Sequence, residues 1–101
     1  MIVTAVYYQD KGADSSDDVI KFVEDALKVI REKETHEVKR VYIDGYEDNS
    51  QLLDLIDDEI NEIECVLLLA PLSDDFAKDL LNELEDTGRI IVQHYSTLNM
   101  H

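Results

Sequence analysis

The chain is poor in cysteine, proline, glycine and basic residues, and it contains no tryptophan. Its single cysteine, Cys65, excludes a disulfide within the chain, and we expect a reducing, cytoplasmic location. Three glycines and one proline leave no Pro/Gly-rich linker or low-complexity segment. No stretch is long enough for a membrane span, and the apolar residues 2–8 lack the flanking features of a signal peptide. The 101 residues, 45% of them hydrophobic, predict one globular domain.

Basic residues are far fewer than acidic residues in this sequence. Lys and Arg number 9 against 24 Asp and Glu, which gives a formal net charge of −15. Residues 41–88 hold fifteen of the acidic residues and a single basic one, Lys78. Because affinity for nucleic acids comes mainly from cationic side chains at the phosphates, this charge argues against direct binding of DNA or RNA. It also argues against an anionic membrane surface as a partner.

Apolar runs and apolar residues at helical spacing alternate along the chain. The runs predict four buried strands, at residues 2–8, 38–43, 65–69 and 90–92. The helical spacing predicts three amphipathic helices, at residues 15–33, 49–63 and 73–87. This order predicts an α/β three-layer sandwich with a mainly parallel sheet of at least four strands. We predict one domain over residues 1–93 and a short tail over residues 94–101.

Details of the second and third helices are also predicted. The apolar stripe of the second helix is expected to include Leu52, Leu53 and Ile56. Ser73 is the expected N-cap of the third helix, whose apolar stripe is expected to begin at Phe76. Gly88 suits the position just beyond that helix.

Phrases at the strand ends resemble the N-terminal, resolvase-type domain of serine recombinases, and the resemblance covers about residues 2–93. Tyr7 matches the family phrase "Tyr, any residue, Arg, any residue, Ser" at the end of the first strand. Gln9 and Lys11 stand where that phrase has the arginine and the nucleophilic serine. At the end of the second strand, Tyr42 and Asp44 match the phrase "Tyr, any residue, Asp".

At the remaining family positions, the apolar residues again match and the charged catalytic residues are again replaced. Leu52 matches a family leucine, but Asn49 stands where the family has an arginine three residues earlier. In place of the family's Leu-Asp-Arg-Leu-Ser-Arg phrase, the chain has Leu69, Ala70, Pro71, Leu72, Ser73 and Asp74. The leucines and the serine match, whereas the aspartate and both arginines do not.

These replacements bear directly on activity. Strand exchange needs a hydroxyl nucleophile and cationic groups that neutralise the charge developing on the phosphate. The resemblance therefore implies a resolvase-like domain without recombinase activity and without catalytic residues. A cleft in which Ser15 or Ser16 lay among Lys and Arg side chains would contradict this expectation.

Three aspartates support an alternative. Asp10, Asp44 and Asp74 follow the ends of the first three strands, and the carboxyl ends of parallel strands share one edge of the sheet. Three carboxylates there could bind Mg²⁺ in a phosphatase or nuclease. The other interpretation is that Asp44 opens a turn and that Asp74 complements a helix N-terminus. The leading interpretation needs no metal or cofactor.

The most distinctive remaining feature is a set of acidic residues outside the apolar stripes of the second and third helices. We call this set the acidic face: Asp54, Asp57, Asp58, Glu59, Glu62, Asp79, Glu83 and Asp86. It serves either as a solvated surface or as a docking surface for a basic partner.

We therefore predict a non-catalytic domain that acts by protein–protein contact, as a regulator or inhibitor of a basic DNA-interacting protein or recombinase. A phage or mobile element is the expected setting, because resolvase-like domains are common there. The alternatives are the Mg²⁺-dependent enzyme and a homodimer with a scaffolding role.

Overall fold

The computed structural model describes residues 1–10, 12, 16–45, 48–59, 62–72, 74–88 and 90–98, without the side chains of residues 16, 58, 59, 97 and 98. The elements in chain order are β1 (Ile2–Gln9), α1 (Ser16–Lys33), β2 (His36–Asp44), α2 (Ser50–Asp54, continued by a π-helical turn over Leu55–Glu59), β3 (Cys65–Leu68), α3 (Asp75–Asp86), β4 (Ile91–His94) and α4 (Tyr95–Leu98). The predicted alternation of strands and helices is confirmed.

The four strands form one parallel sheet in the order β2-β1-β3-β4. On β1, Tyr7 is in register with Tyr42 of β2 on one side and with Leu68 of β3 on the other. The chain leaves β1 toward one edge to make β2 and then crosses to the other side to make β3 and β4. The side of the sheet on which the chain adds strands therefore changes between β1 and β3. In open α/β sheets, ligands bind at such a reversal, beside the carboxyl ends of the strands.

The central strand β1 supplies both hydrophobic cores, because successive side chains of a strand point to opposite faces of the sheet. Ala5 and Tyr7 pack in a core with residues of α2 and α3. Val6 and Tyr8 pack in the other core, to which α1 contributes Val19, Val23, Ala26 and Ile30. Helices thus cover both faces of the sheet, and the predicted three-layer α/β sandwich is confirmed.

The second helix differs from its prediction. The structure divides it into α2 and the π-helical turn, and the buried residues are Leu52 and Leu55, whereas Leu53 is 43% exposed. The prediction that Leu53 lies on the buried stripe is therefore wrong. Leu52, Leu55 and Ile56 have the i, i+3, i+4 spacing of one helical face, and Leu53 lies beside that face rather than on it.

The start of α3 also differs, whereas its end agrees. Asp74 is the N-cap, since its side chain accepts a hydrogen bond from the backbone N–H of Phe76. Ser73, the expected cap, lies outside the described residues. Phe76 is exposed rather than part of the buried stripe, which is formed by Ala77 and Leu81. Gly88 follows the helix with a φ of +75°, a conformation that glycine adopts without steric penalty.

The outer strand β4 begins and ends later than predicted. Ile90 is buried just before it, and His94, the first residue of the predicted tail, is its last residue. Ile91 is 51% exposed because β4 is the outermost strand on its side of the described sheet. Among the described helices, none combines the length and apolarity that crossing a bilayer requires.

Candidate functional site

Side chains from three elements meet at the carboxyl edge of the sheet, beside the point where the chain reverses direction. Gln9 ends β1, Asn49 precedes α2, and Asp74 caps α3. The side-chain amide of Gln9 donates hydrogen bonds to Oδ1 of Asn49 (2.9 Å) and to the backbone carbonyl of Asp48 (2.9 Å). Nδ2 of Asn49 in turn donates to Oδ2 of Asp74 (2.7 Å). We call Gln9, Asn49 and Asp74 the switch-point network.

The network has a consistent hydrogen-bond direction. Each amide can donate through its nitrogen and accept through its oxygen, so a series of amides can end on a carboxylate, which only accepts. Gln9 is buried, and the second oxygen of Asp74 accepts the backbone N–H of Phe76 at 3.1 Å. These polar groups therefore satisfy one another and the start of α3, as buried polar groups must.

A second carboxylate, Asp44, is buried beside this network at 1% exposure. Its Oδ2 accepts the Tyr7 hydroxyl at 2.6 Å and the backbone N–H of Leu52 at 3.0 Å, while Oδ1 accepts the backbone N–H of Gln51 at 2.8 Å. Asp44 thus ties β1 to the first turn of α2, whose free N–H groups need acceptors. Burial and the Asp44 carboxylate raise the pKa of Tyr7, which keeps the phenol as the hydrogen-bond donor.

The alternative interpretation places Asp10, Asp44 and Asp74 together as possible magnesium ligands. Asp10, Asp44 and Asp74 do follow the first three strands, as expected. However, the described His, Cys, Asp and Glu side chains include no group of three that could hold a metal ion. Asp44 and Asp74 are committed to the contacts above, and Oδ1 of Asp10 accepts the backbone N–H of Gly12 at 2.9 Å. The interpretation of Asp44 and Asp74 as structural acceptors agrees with this geometry.

The structure brings together three of the positions that the sequence matched to recombinase arginines. These are Gln9, Asn49 and Asp74, and none of them is cationic. A fourth matched position, Pro71, is exposed beyond β3. The remaining residues in question lie outside the described residues or have no described side chain: Lys11, Ser15, Ser16 and Ser73.

Most of the acidic face lies on the outer side of one helical layer, whereas Glu62, expected on the second helix, lies in a turn before β3. Residues of α2, its π-helical turn and α3 share one core against the same face of the sheet. Six members of the acidic face have described side chains, and all six are exposed: Asp54, Asp57, Glu62, Asp79, Glu83 and Asp86. The side chains of Asp58 and Glu59 lie outside the described residues. The fold therefore collects charges that are up to 32 positions apart in the sequence into one layer.

Glu62 of the acidic face makes an ion pair with a residue of β2. The Lys39 amino group of β2 contacts the Glu62 carboxylate, and both side chains are substantially exposed. Exposed ion pairs contribute little to stability and are screened by salt. This pair therefore reduces the local negative charge at one margin of the face without anchoring the fold.

A polar cluster at the amino end of the sheet was not foreseen from the sequence. The Thr4 hydroxyl and Nδ1 of His36 are 2.7 Å apart, and both residues are buried, as is Cys65 in β3. Burial lowers the pKa of His36 and raises the pKa of Cys65 to about 11. A buried thiol with a raised pKa is a poor nucleophile, so Cys65 behaves as the core residue that its strand position predicted.

Comparisons with known proteins give little further information. No family model matches the chain, and no curated protein sequence matches it. Among solved structures, the fold is similar to the crystal structure of the N. crassa QDE-2 AGO MID domain, with a TM-score of 0.49 and 11% sequence identity. The similarity covers 93% of this chain and 78% of the MID domain. A similarity of this size carries no argument about the function of this chain.

Proposed function

We propose that this chain is a non-catalytic α/β domain that binds a basic, DNA-interacting protein through its acidic face. The observation that carries the proposal is the collection of exposed carboxylates in the single layer formed by α2 and α3. Positively charged residues on a partner would be attracted to this layer over several ångströms. Such electrostatic steering accelerates association and makes it sensitive to salt.

The chemistry of the carboxyl edge supports a binding role rather than phosphoryl transfer. Transfer of a phosphoryl group requires cationic groups that stabilise the charge of the transition state. At three of the four positions matched to arginines, the chain carries two amides and a carboxylate, which bond to one another. A phosphate placed there would meet the negative charge of Asp74 and no compensating cation from Gln9 or Asn49.

The resemblance to resolvase-type domains refines the choice of partner. A recombinase is basic where it contacts DNA. A domain that resembles it in fold but lacks its catalytic side chains is suited to bind and regulate it. The acidic face would occupy cationic groups that otherwise contact phosphates, which makes the chain an inhibitor of DNA binding. We expect a cytoplasmic setting, and a phage or mobile element as the source of both proteins.

The test is capture of the partner on immobilised chain, with two charge-reversal variants of equal net charge. The first carries Asp79→Lys and Glu83→Lys on α3, and the second carries Glu24→Lys and Asp25→Lys on α1, across the sheet. We expect the α3 variant to lose the captured protein and the α1 variant to retain it. We also expect release by about 0.5 M NaCl, where the Debye length is only a few ångströms, and by added duplex DNA.

The opposite results would overturn the proposal. Capture that persists in high salt would exclude an interface of exposed charges. Equal loss in both variants would show that total charge, rather than the acidic face, determines binding. A captured protein that keeps its DNA affinity in the presence of the chain would exclude inhibition.

A further inference from the structure

A groove lies between α3 and the strands β3 and β4, on the same side of the sheet as the acidic face. Its volume is about 420 Å³. Its floor is apolar and consists of Leu68, Leu72, Leu81 and Val92. Asn82 and Glu85 of α3 line one side, and both are exposed. The groove is separate from the switch-point network, none of whose members lines it.

The strand that borders this groove has an unpaired edge. Within the described part of the chain, β4 pairs only with β3, and no strand pairs with its other side. The backbone N–H and C=O groups along such an edge can accept an additional strand, which is how many proteins bind extended peptides. Ile91 on β4 is a further exposed apolar residue at this edge.

The charges around the groove indicate the chemistry of its occupant. Glu85 lines it, and Asp79 and Asp86 lie on the neighbouring exposed part of α3. Lys78 and His94 line its other end, toward the carboxyl edge of the sheet. Because α3 runs antiparallel to the strands, Glu85 lies toward the amino edge. A segment in the groove therefore meets the Glu85 carboxylate toward the amino edge, Lys78 and His94 toward the carboxyl edge, and an apolar floor beneath.

We propose that the groove between α3 and β4 binds an extended basic segment of the partner, which adds to the sheet as a strand beside β4. An aliphatic side chain of the segment enters the groove above Val92, and a Lys or Arg two residues along lies against Glu85. Residues two apart in a strand point to the same face, about 7 Å apart, so both can face α3. This inference rests on the proposed function and locates the docking site within it.

A second copy of this chain is a weaker candidate for the same edge. Each copy carries a formal net charge of −15, and two acidic helical layers would approach each other if the β4 edges paired. Self-repulsion of highly charged proteins opposes such association. A basic segment instead gains from the same charges.

The probe for this inference is a capped heptapeptide, Ser-Lys-Thr-Val-Thr-Lys-Ser, whose central valine is flanked by lysines at two-residue spacing on both sides. Binding is measured by chemical-shift perturbation of the labelled chain at low salt. We expect shifts at Val92, Leu81 and Glu85, and an affinity at least tenfold lower for Glu85→Lys. The control variant Glu24→Lys, exposed on α1, should bind as the wild type does.

Two altered peptides test the mode of binding. Replacing both lysines with glutamate should abolish binding. N-methylation of one alternate set of amides should abolish it and methylation of the other set should not, because only one set can pair with β4. Binding of the glutamate peptide, equal effects of both methylations, or a concentration-dependent doubling of mass by light scattering would overturn the inference. If the captured partner does not bind the Asp79→Lys, Glu83→Lys variant but binds Glu85→Lys normally, the groove is not the docking site, and the proposed function stands.

Discussion

The Tyr7 hydroxyl donates a 2.6 Å hydrogen bond to the Asp44 carboxylate, which also accepts the backbone N–H groups of Gln51 and Leu52 in the first turn of α2. Tyr7 and Asp44 are both buried. The pair therefore positions the loop that carries Asn49, and with it the switch-point network.

Removal of this hydroxyl should destabilise the fold without emptying the core. Tyr7→Phe keeps the ring but deprives a buried carboxylate of one donor, which is expected to lower the free energy of unfolding by about 1.5–3 kcal/mol. Urea denaturation followed by circular dichroism measures the change. The reference is a double-mutant cycle with Asp44→Asn, in which a coupling energy near zero would show that the contact contributes nothing.

Much of the architecture could be predicted from the sequence because buried residues recur at the spacing of a strand or of a helix face. The apolar run of β1 required cover on both faces, and Gly88 marked the end of α3. Leu53 and Leu55 show the limit of this approach. Both are apolar and two positions apart, and the rotation of the helix against the sheet decides which of them is buried.

The candidate site was predictable only in part, because its contacts join side chains from separate loops. The sequence analysis matched Gln9, Asn49 and Asp74 to arginine positions of the resolvase-type pattern, but it did not predict that these three side chains bond to one another. The partnership depends on side-chain geometry at loop ends, where the sequence has no periodicity. The contact between Thr4 and His36 joins residues 32 positions apart and left no pattern in the sequence.

The buried histidine should make the fold sensitive to mild acid. Burial lowers the pKa of His36 in the folded state, so its contribution to stability is present above about pH 6.5, the unfolded value, and is lost as the pH falls through the folded pKa. We expect the wild type to lose up to about 1.4 kcal/mol per pH unit below pH 6.5 from this residue.

The variant His36→Asn isolates that contribution, since asparagine cannot take up the proton but retains a polar atom near Thr4. Its free energy of unfolding, measured in urea at intervals from pH 7.5 to 5, should fall less steeply than that of the wild type. Parallel curves for the two proteins would exclude His36 as the titrating group.

The end of α1 contains a residue in an unfavourable backbone conformation. Glu34 directly follows the helix with a φ of 56°, in the left-handed region that favours glycine. Glu34→Gly should raise the free energy of unfolding by about 0.5–1 kcal/mol, because it removes the steric penalty of the side chain. Thermal and urea unfolding measure the gain.

Charge also changes in that substitution, so it needs a control. Glu34→Gln removes the same negative charge from the negative end of the helix dipole but keeps the side chain and its backbone penalty. The glycine variant should therefore exceed the glutamine variant in stability. Equal gains would attribute the effect to charge alone.

The switch-point network should depend on the direction of its hydrogen bonds. Asn49→Asp removes the donor to Asp74 and places two carboxylates where the present donor and acceptor are 2.7 Å apart. At pH 7 we expect a loss of about 1–3 kcal/mol in the free energy of unfolding, because the partly buried pair loses a hydrogen bond and gains a repulsion between like charges.

A variant that exchanges the hydrogen-bond donor at position 49 with the acceptor at position 74 tests this interaction directly. In the double variant Asn49→Asp with Asp74→Asn, the amide introduced on α3 can donate to the carboxylate introduced before α2, and asparagine is as good an N-cap as aspartate. The Gln9 amide keeps an acceptor at either oxygen of that carboxylate. The double variant should therefore recover most of the stability lost by Asn49→Asp at pH 7. A loss equal to that of the single variant, in the same urea titration, would mean that the two side chains do not interact in solution.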